Sequence, residues 1–501
     1  MKWSGKMKRL GLILLMLFLV LPVSANAGTI GGKDNPGGVP GQWYAGDAPG
    51  YSDPNKPVLV FIHGINSSSK TWWESNNMYQ TALNNGYQTA FIDVHPDKNM
   101  WDNGTIINNR VRDIYNYFGQ KKLVIVGHSK GGIDAQNALV HYGAHPYVSN
   151  LITLSTPHYG SQLADLAYSG WAGWLASILG SKNDATYSLQ TGYMRNYRPQ
   201  IDTHINRSKN PVFTLAGTKW GSFGSSLYWG GLYLSSYGSN DGAVTVANSR
   251  LPYSKEVRVS SWNHTTVREG GTFQYFRPYL TLNAQPVAGI TSAESMSEPL
   301  ASELEPANIS VLHRGGEFTA SALENFQVEE NVAKLDLDWL SDKKMKDLVV
   351  ISPSGVEYKK FTHSVDEGVF KGGHHHSFQI QKPEAGQWSV KVNKNKAAYL
   401  MTVGFHSDLN EEIILDEKTI ELKNKGSKIK DFQVNVNINK DGQKKKDASM
   451  MITQKGKVPF TFKEEGVYTL TLDVKGKTKA GKKFERTIVK SIYVDKNGIT
   501  H

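Results

Sequence analysis

Cysteine is absent from the 501 residues. Its absence excludes disulfide staples, so a chain of this size must rest on packed hydrophobic cores. Charge is sparse as well, at 20% of residues, with a formal net charge of +11. Four of the positive charges (Lys2, Lys6, Lys8 and Arg9) crowd the N-terminus, which leaves about +7 spread over the remainder. The triplet Lys444-Lys445-Lys446 follows Asp441-Gly442 and reads as a solvated hairpin tip. Basic residues nowhere cluster with aromatic or groove-reading elements, which speaks against a nucleic-acid partner. Long apolar runs are missing too, with one exception at the start.

That exception spans Leu10 to Val20, preceded by the basic residues and followed by Ala25-Asn26-Ala27, a small-x-small signal. It is too short to cross a membrane comfortably and reads as a secretory signal peptide over residues 1–27. The expectation is a mature chain from Gly28, without a transmembrane anchor, secreted and extracellular or associated with the cell surface.

Residues 28 to about 55 are rich in Gly, Pro and Asp and are expected to wrap the surface without regular structure. From there to 282, apolar strand-like runs alternate with helix-like ones: Val58–Ile62, Gln88–Ile92, Leu123–Val126, Val148–Leu154, Val212–Ala216 and Val257–Val259. This alternation predicts an α/β domain with a mainly parallel sheet covered on both faces. A stretch dominated by Ser, Glu, Ala and Pro marks a linker over 283–305. Beyond it come short alternating strands such as Leu335–Trp339, Leu348–Ile351, Trp388–Val392 and Phe484–Val494. They predict two small β-sandwich modules, 306–405 and 406–501, the second immunoglobulin-like.

The chemistry centres on Gly127-His128-Ser129-Lys130-Gly131, a G-x-S-x-G pentapeptide directly after Leu123-Val124-Ile125-Val126 and before a helical pattern. Strand, pentapeptide and helix in that order form a sharp turn that presents the serine hydroxyl. Chain order then supplies a carboxylate, Asp241 in the turn Asn240-Asp241-Gly242, and an imidazole, His264, just past Val257-Arg258-Val259. His264 would take the proton of Ser129 and hand it to a leaving alcohol, with Asp241 fixing the tautomer. Two backbone N–H groups are needed for the developing oxyanion. Lys130 follows the nucleophile, and Ile65 follows the strand Val58–Ile62 and His63-Gly64; His63 would brace that loop.

Taken together, Phe61-Ile62-His63-Gly64, the pentapeptide with Gly132, Ser155-Thr156-Pro157-His158-Tyr159-Gly160-Ser161, and Asn240-Asp241-Gly242 with His264 resemble bacterial secreted lipases of the α/β-hydrolase superfamily, the true-lipase group and its small Bacillus relatives. The resemblance covers about 55–280. It implies carboxylic-ester hydrolysis through an acyl-enzyme, without a cofactor, carried by Ser129, Asp241 and His264. Two positions depart from the pattern. Many such lipases carry Gln or Met where Lys130 stands, which suggests a cation at the site mouth. Larger members hold calcium near the histidine loop, but Thr265-Thr266-Val267-Arg268 offers no carboxylate, so no metal is expected.

Leu163, Leu166, Trp171, Trp174, Leu175 and Ile178 form an apolar stripe of roughly helical spacing, broken by Gly170 and Gly173. It reads as a lid whose Trp171, Trp174 and Ile178 meet an apolar substrate, with Trp220, Phe223, Tyr228, Trp229, Tyr233 and Tyr237 as a second wall. Three adjacent histidines, His374-His375-His376, cannot all reach one ion from a strand and are expected to be polar loop residues. Three functions follow: a lipase or esterase acting on apolar acyl esters, an extracellular polyester depolymerase of the polyhydroxybutyrate type, or a non-catalytic surface-binding protein on a hydrolase scaffold. In each, the C-terminal modules are spacers or grip a cell wall or polymer.

Overall fold

The computed structural model describes residues 28–29, 38–51, 53–283, 309–393, 396–416, 421–424, 428–440, 448–453, 462 and 464–501. The expected signal peptide, nearly all of the linker and the lysine triplet lie outside these residues.

An eight-stranded sheet organises the first half: β1 (Gly28–Thr29), β2 (Trp43–Ala45), β3 (Val58–Ile62), β4 (Thr89–Ile92), β5 (Leu123–His128), β6 (Val148–Leu154), β7 (Val212–Gly217) and β8 (Lys255–Ser260), in spatial order 1-2-4-3-5-6-7-8. All pairs from β4 to β8 are parallel, and β2 runs antiparallel to β4. Strands β3 to β7 are buried along their whole length, as unbroken apolar runs in a parallel sheet require. Covering them are α1 (Met78–Asn84), α2 (Met100–Tyr117), α3 (Lys130–His141), α4 (Gln162–Ala167), α5 (Gly173–Ile178), α6 (Asp184–Ser188), α7 (Thr191–Asp202) and α8 (Ser226–Leu234). This is an α/β-hydrolase fold. Separate apolar cores lie on its two faces, one around Ile62, Ile125 and Val111, the other around Phe61, Trp72 and Phe273.

The six expected strands are present within a residue or two. Strand β2 was not expected. Trp43, Tyr44 and Ala45 are all buried against β4, so three apolar residues in a Gly/Pro-rich stretch suffice to add a strand.

In the second half, β9 (Ile309–Phe318), β10 (Ser321–Val328), β11 (Lys334–Ser341), β12 (Leu348–Ile351), β13 (Glu357–Tyr358), β14 (Thr362–Val365), β15 (His374–Gln381), β16 (Gly386–Asn393) and β17 (Ala397–His406) build two antiparallel sheets, ordered 10-16-12-13 and 14-15-11-17-9. They enclose Trp339, Trp388, Phe326 and Phe405 as one core. Then β18 (Ile413–Asp416) and β19 (Glu421–Asn424) pair as a hairpin, and β20 (Ile429–Lys440), β21 (Ala448–Thr453), β22 (Gly466–Thr478) and β23 (Lys483–Val494) form a sheet ordered 21-20-22-23. Buried Arg486 on β23 pairs with Glu329 just after β10, tying this sheet to the preceding module.

The two halves share a core. Leu166, Ala172, Leu175, Trp229 and Leu232 from α4, α5, α8 and their connections pack with Ile309, Val311, Leu400 and Val489. Polar contacts frame it: Trp229 Nε1 donates to Ser377 Oγ at 2.9 Å, Trp171 Nε1 to Asp473 at 3.0 Å, and Tyr237 Oη to the Val489 carbonyl at 2.7 Å.

Candidate active site

Strand β5 ends where α3 begins, and Ser129 sits between them at φ 54°, ψ −133°. For a non-glycine residue that is a strained conformation, held because the surroundings leave no alternative. The flanking glycines explain how. A side chain on Gly131 would meet the His63 carbonyl oxygen at 2.4 Å, and one on Gly64 would meet Ser129 Cβ at 2.7 Å. The helix therefore lies tight against β3, and the loop after β3 reaches Ser129.

Asp241 and His264 come together across 23 residues. His264 Nδ1 lies 2.8 Å from Asp241 Oδ2, and its backbone N–H donates to the Asp241 carbonyl at 2.9 Å. The other carboxylate oxygen of Asp241 accepts from the Ala243 and Val244 N–H groups, so the acid is aimed. His128 adds a third restraint: its Nε2 lies 2.8 Å from the His264 carbonyl, with the rings 4.7 Å apart. Burial, and next the neighbouring His264, hold His128 well below the usual histidine range, so it stays neutral and donates that bond.

Ser129 and His264 line one cavity of about 740 Å³, with no hydrogen bond between them in this structure. Such bonds commonly tighten only when substrate arrives. Gly64, Ile65, Leu163, Leu166, Leu189 and Trp229 also line it, giving it an apolar part, while Arg268, Asp338, Asp366, Glu367 and Lys371 add charge elsewhere in the lining. Among the described residues neither the Ile65 N–H nor the Lys130 N–H donates to another protein group. Both are free for a ligand.

Three expectations change. Lys130 brings no cation to the mouth; its side chain is 1% exposed and points back into the protein, onto Asp134. The apolar stripe does not act as the expected lid: it forms two short helices, α4 and α5, parted around Gly170. Leu163 and Leu166 face the cavity, whereas Trp171, Trp174 and Ile178 are absent from its lining. Trp171 turns to the C-terminal half and the other two are about half exposed. Finally, the histidine triplet lies on β15, not in a loop. His375 is bracketed by Asp338 at 2.6 Å and Asp366 at 3.0 Å, and His376 holds the Met345 N–H. Among the described residues no cluster of three ligands suits a metal.

A further wall of the cavity comes from the C-terminal half. The loop between β14 and β15, including Glu367, Gly368, Val369, Phe370 and Lys371, lines the same space as Ser129. Asn66 Nδ2 donates to the Gly368 carbonyl at 2.9 Å and Lys371 Nζ to the Asn66 carbonyl at 2.8 Å. The loop thus straps the segment that carries Ile65.

Comparison with known proteins bears on this geometry. The family described as PGAP1-like alpha/beta domain matches residues 55–169. The crystal structure of Bacillus licheniformis lipase BlEst2 in propeptide form is 42% identical, covering 92% of this chain and 99% of that one with a TM-score of 0.80. The chain belongs to this lipase family. It is accordingly a carboxylic ester hydrolase. The mature form of the same Bacillus licheniformis lipase is 56% identical, covering 49% of this chain and all of that one, with a TM-score of 0.47. The metagenomic carboxyl esterase MGS0156 is 17% identical over 46% of this chain and 76% of its own, with a TM-score of 0.37. No curated protein matches the chain.

Proposed function

We propose that this protein is a secreted serine lipase or esterase that cleaves esters of apolar acyl chains. Ser129 attacks the ester carbon while His264 takes its proton; Asp241 holds the imidazole tautomer and stabilises the imidazolium. The Ile65 and Lys130 N–H groups receive the oxyanion. His264 returns the proton to the leaving alcohol, and water then releases the acyl group by the same steps. The observation that carries this reading is the 2.8 Å Asp241–His264 pair facing the cavity that holds strained Ser129. Leu163, Leu166, Leu189 and Trp229 supply an apolar bed for the acyl chain.

The chain further reads as a precursor. Its full-length relative is known in a propeptide form, and here the β14–β15 loop occupies the cavity wall beside Ser129. The C-terminal half spends its apolar surface on the catalytic half: its exposed large apolar side chains among the described residues are Leu323, Val356, Val365 and Ile499, none aromatic. That favours a covering role over a grip on polymer.

Hydrolysis of p-nitrophenyl esters from acetate to palmitate by the wild type and Ser129→Ala tests the reading. Rising activity into the medium chains, lost in the variant, supports it. Equal activity in both proteins refutes it.

A further inference from the structure

A buried polar chain runs behind the nucleophile and has no part in the steps above. Lys130 Nζ reaches both carboxylate oxygens of Asp134, one turn on in α3, at 2.7 and 2.8 Å. Asn103 of α2 donates to Asp134 at 2.8 Å and to the His95 carbonyl at 3.0 Å, while its own carbonyl accepts the His95 N–H at 3.0 Å. One residue back, the Val94 N–H donates to His63 Nε2 at 3.2 Å, and His63 Nδ1 donates to the Gly64 carbonyl at 2.8 Å. Lys130, Asp134, Asn103 and His63 are each 0–1% exposed. One end of this chain is the residue bearing the first oxyanion donor. The other end is the residue before the second, Ile65.

We infer that Lys130, Asp134, Asn103 and His63 are positioning residues that lock the two oxyanion-hole amides at a fixed separation. The inference rests on the oxyanion assignment proposed above. Two amides on different loops act together only if their spacing survives the loss of the substrate's planar carbonyl, and apolar packing alone lets loops slide. Directional hydrogen bonds across three segments prevent it. The tautomer of His63 is set by this role: it must donate to Gly64 and accept from Val94. Burial, its largest influence, keeps it below the usual histidine range and hence neutral. Burial likewise lowers Lys130 and raises Asp134, and their mutual attraction opposes both shifts. A lysine beside the nucleophile therefore acts through its backbone, with its side chain as the anchor.

The test is made on the full chain with p-nitrophenyl butyrate and butylboronic acid, which mimics the tetrahedral adduct on serine. Lys130→Met with Asp134→Asn removes both charges at nearly constant volume, so no lone buried ion remains. Asn103→Leu cuts the chain in the middle. Each variant is expected to lose about 10- to 100-fold in kcat and a similar factor in boronate affinity, with KM within about twofold. The triple variant should lose no more than the worse of the two, because one brace is broken twice. Unchanged kcat and boronate affinity, even with a lower melting temperature, would overturn the brace and leave the hydrolase reading intact. Inactivity of the wild type, persisting after limited proteolysis of the covering half, would overturn both.

Discussion

Two imidazole–carboxylate couples face one cavity from opposite halves of the molecule, and they are built differently. In the catalytic half His264 meets one carboxylate, Asp241, and its side chain keeps 15% exposure. In the C-terminal half His375 is 2% exposed and meets two, Asp338 and Asp366, one on each ring nitrogen. The first arrangement leaves a nitrogen open, as the proposed proton shuttle requires; the second consumes both and makes a clamp.

The largest expected effect breaks the first couple. Asp241→Asn should lower kcat by about 10⁴-fold, with the fold retained by circular dichroism, because the amide leaves the imidazole in the wrong tautomer. Breaking the clamp should do the reverse. Asp366→Asn removes a charge-assisted bond from the strap over the Ile65 segment, and full-chain activity on p-nitrophenyl butyrate should rise about tenfold. A fall, or no change, would mean that the strap does not restrain the site.

The clamp also predicts a pH effect of definite sign. Burial disfavours the His375 cation, yet the two carboxylates outweigh it and push its pKa up to about 10. Its stabilisation is therefore complete below the unfolded value near 6.5 and is lost as pH rises through 10. Proteolytic nicking within 366–373 should accelerate between pH 8 and 11 in the wild type, and Asp366→Asn should be fast throughout. A smaller effect concerns Asp165 on α4. Burial raises its carboxyl to about 7, although Thr191 donates two hydrogen bonds to it. A raised acid weakens the fold as pH climbs from about 4 to 7. Asp165→Asn should flatten the melting temperature across that interval, by a few degrees.

The contrast between halves also marks what could be read from residues alone. Strands β3 to β7 were legible because each is a continuous apolar run, and the turns that hold Ser129, Asp241 and His264 because they carry Gly, Asn and Asp at fixed places. What escaped depends on partners. Nothing in Lys130 itself says that its stem turns inward; that requires Asp134 one helical turn away and Asn103 on another helix. The stripe from Leu163 to Ile178 shows apolar spacing but not which surface it meets, and most of it meets the other half of the same chain. Gly368 and Phe370 carry no pattern of their own; only the cavity shows what they face.

The core shared between the halves has a consequence for the protein's life in water. Separated from its covering strands, the catalytic half would show solvent a greasy crescent around the cavity mouth, from Leu166 through Trp229 to Leu232. Such a crescent suits an oil droplet and invites clumping anywhere else. Carried as one chain, it travels dry.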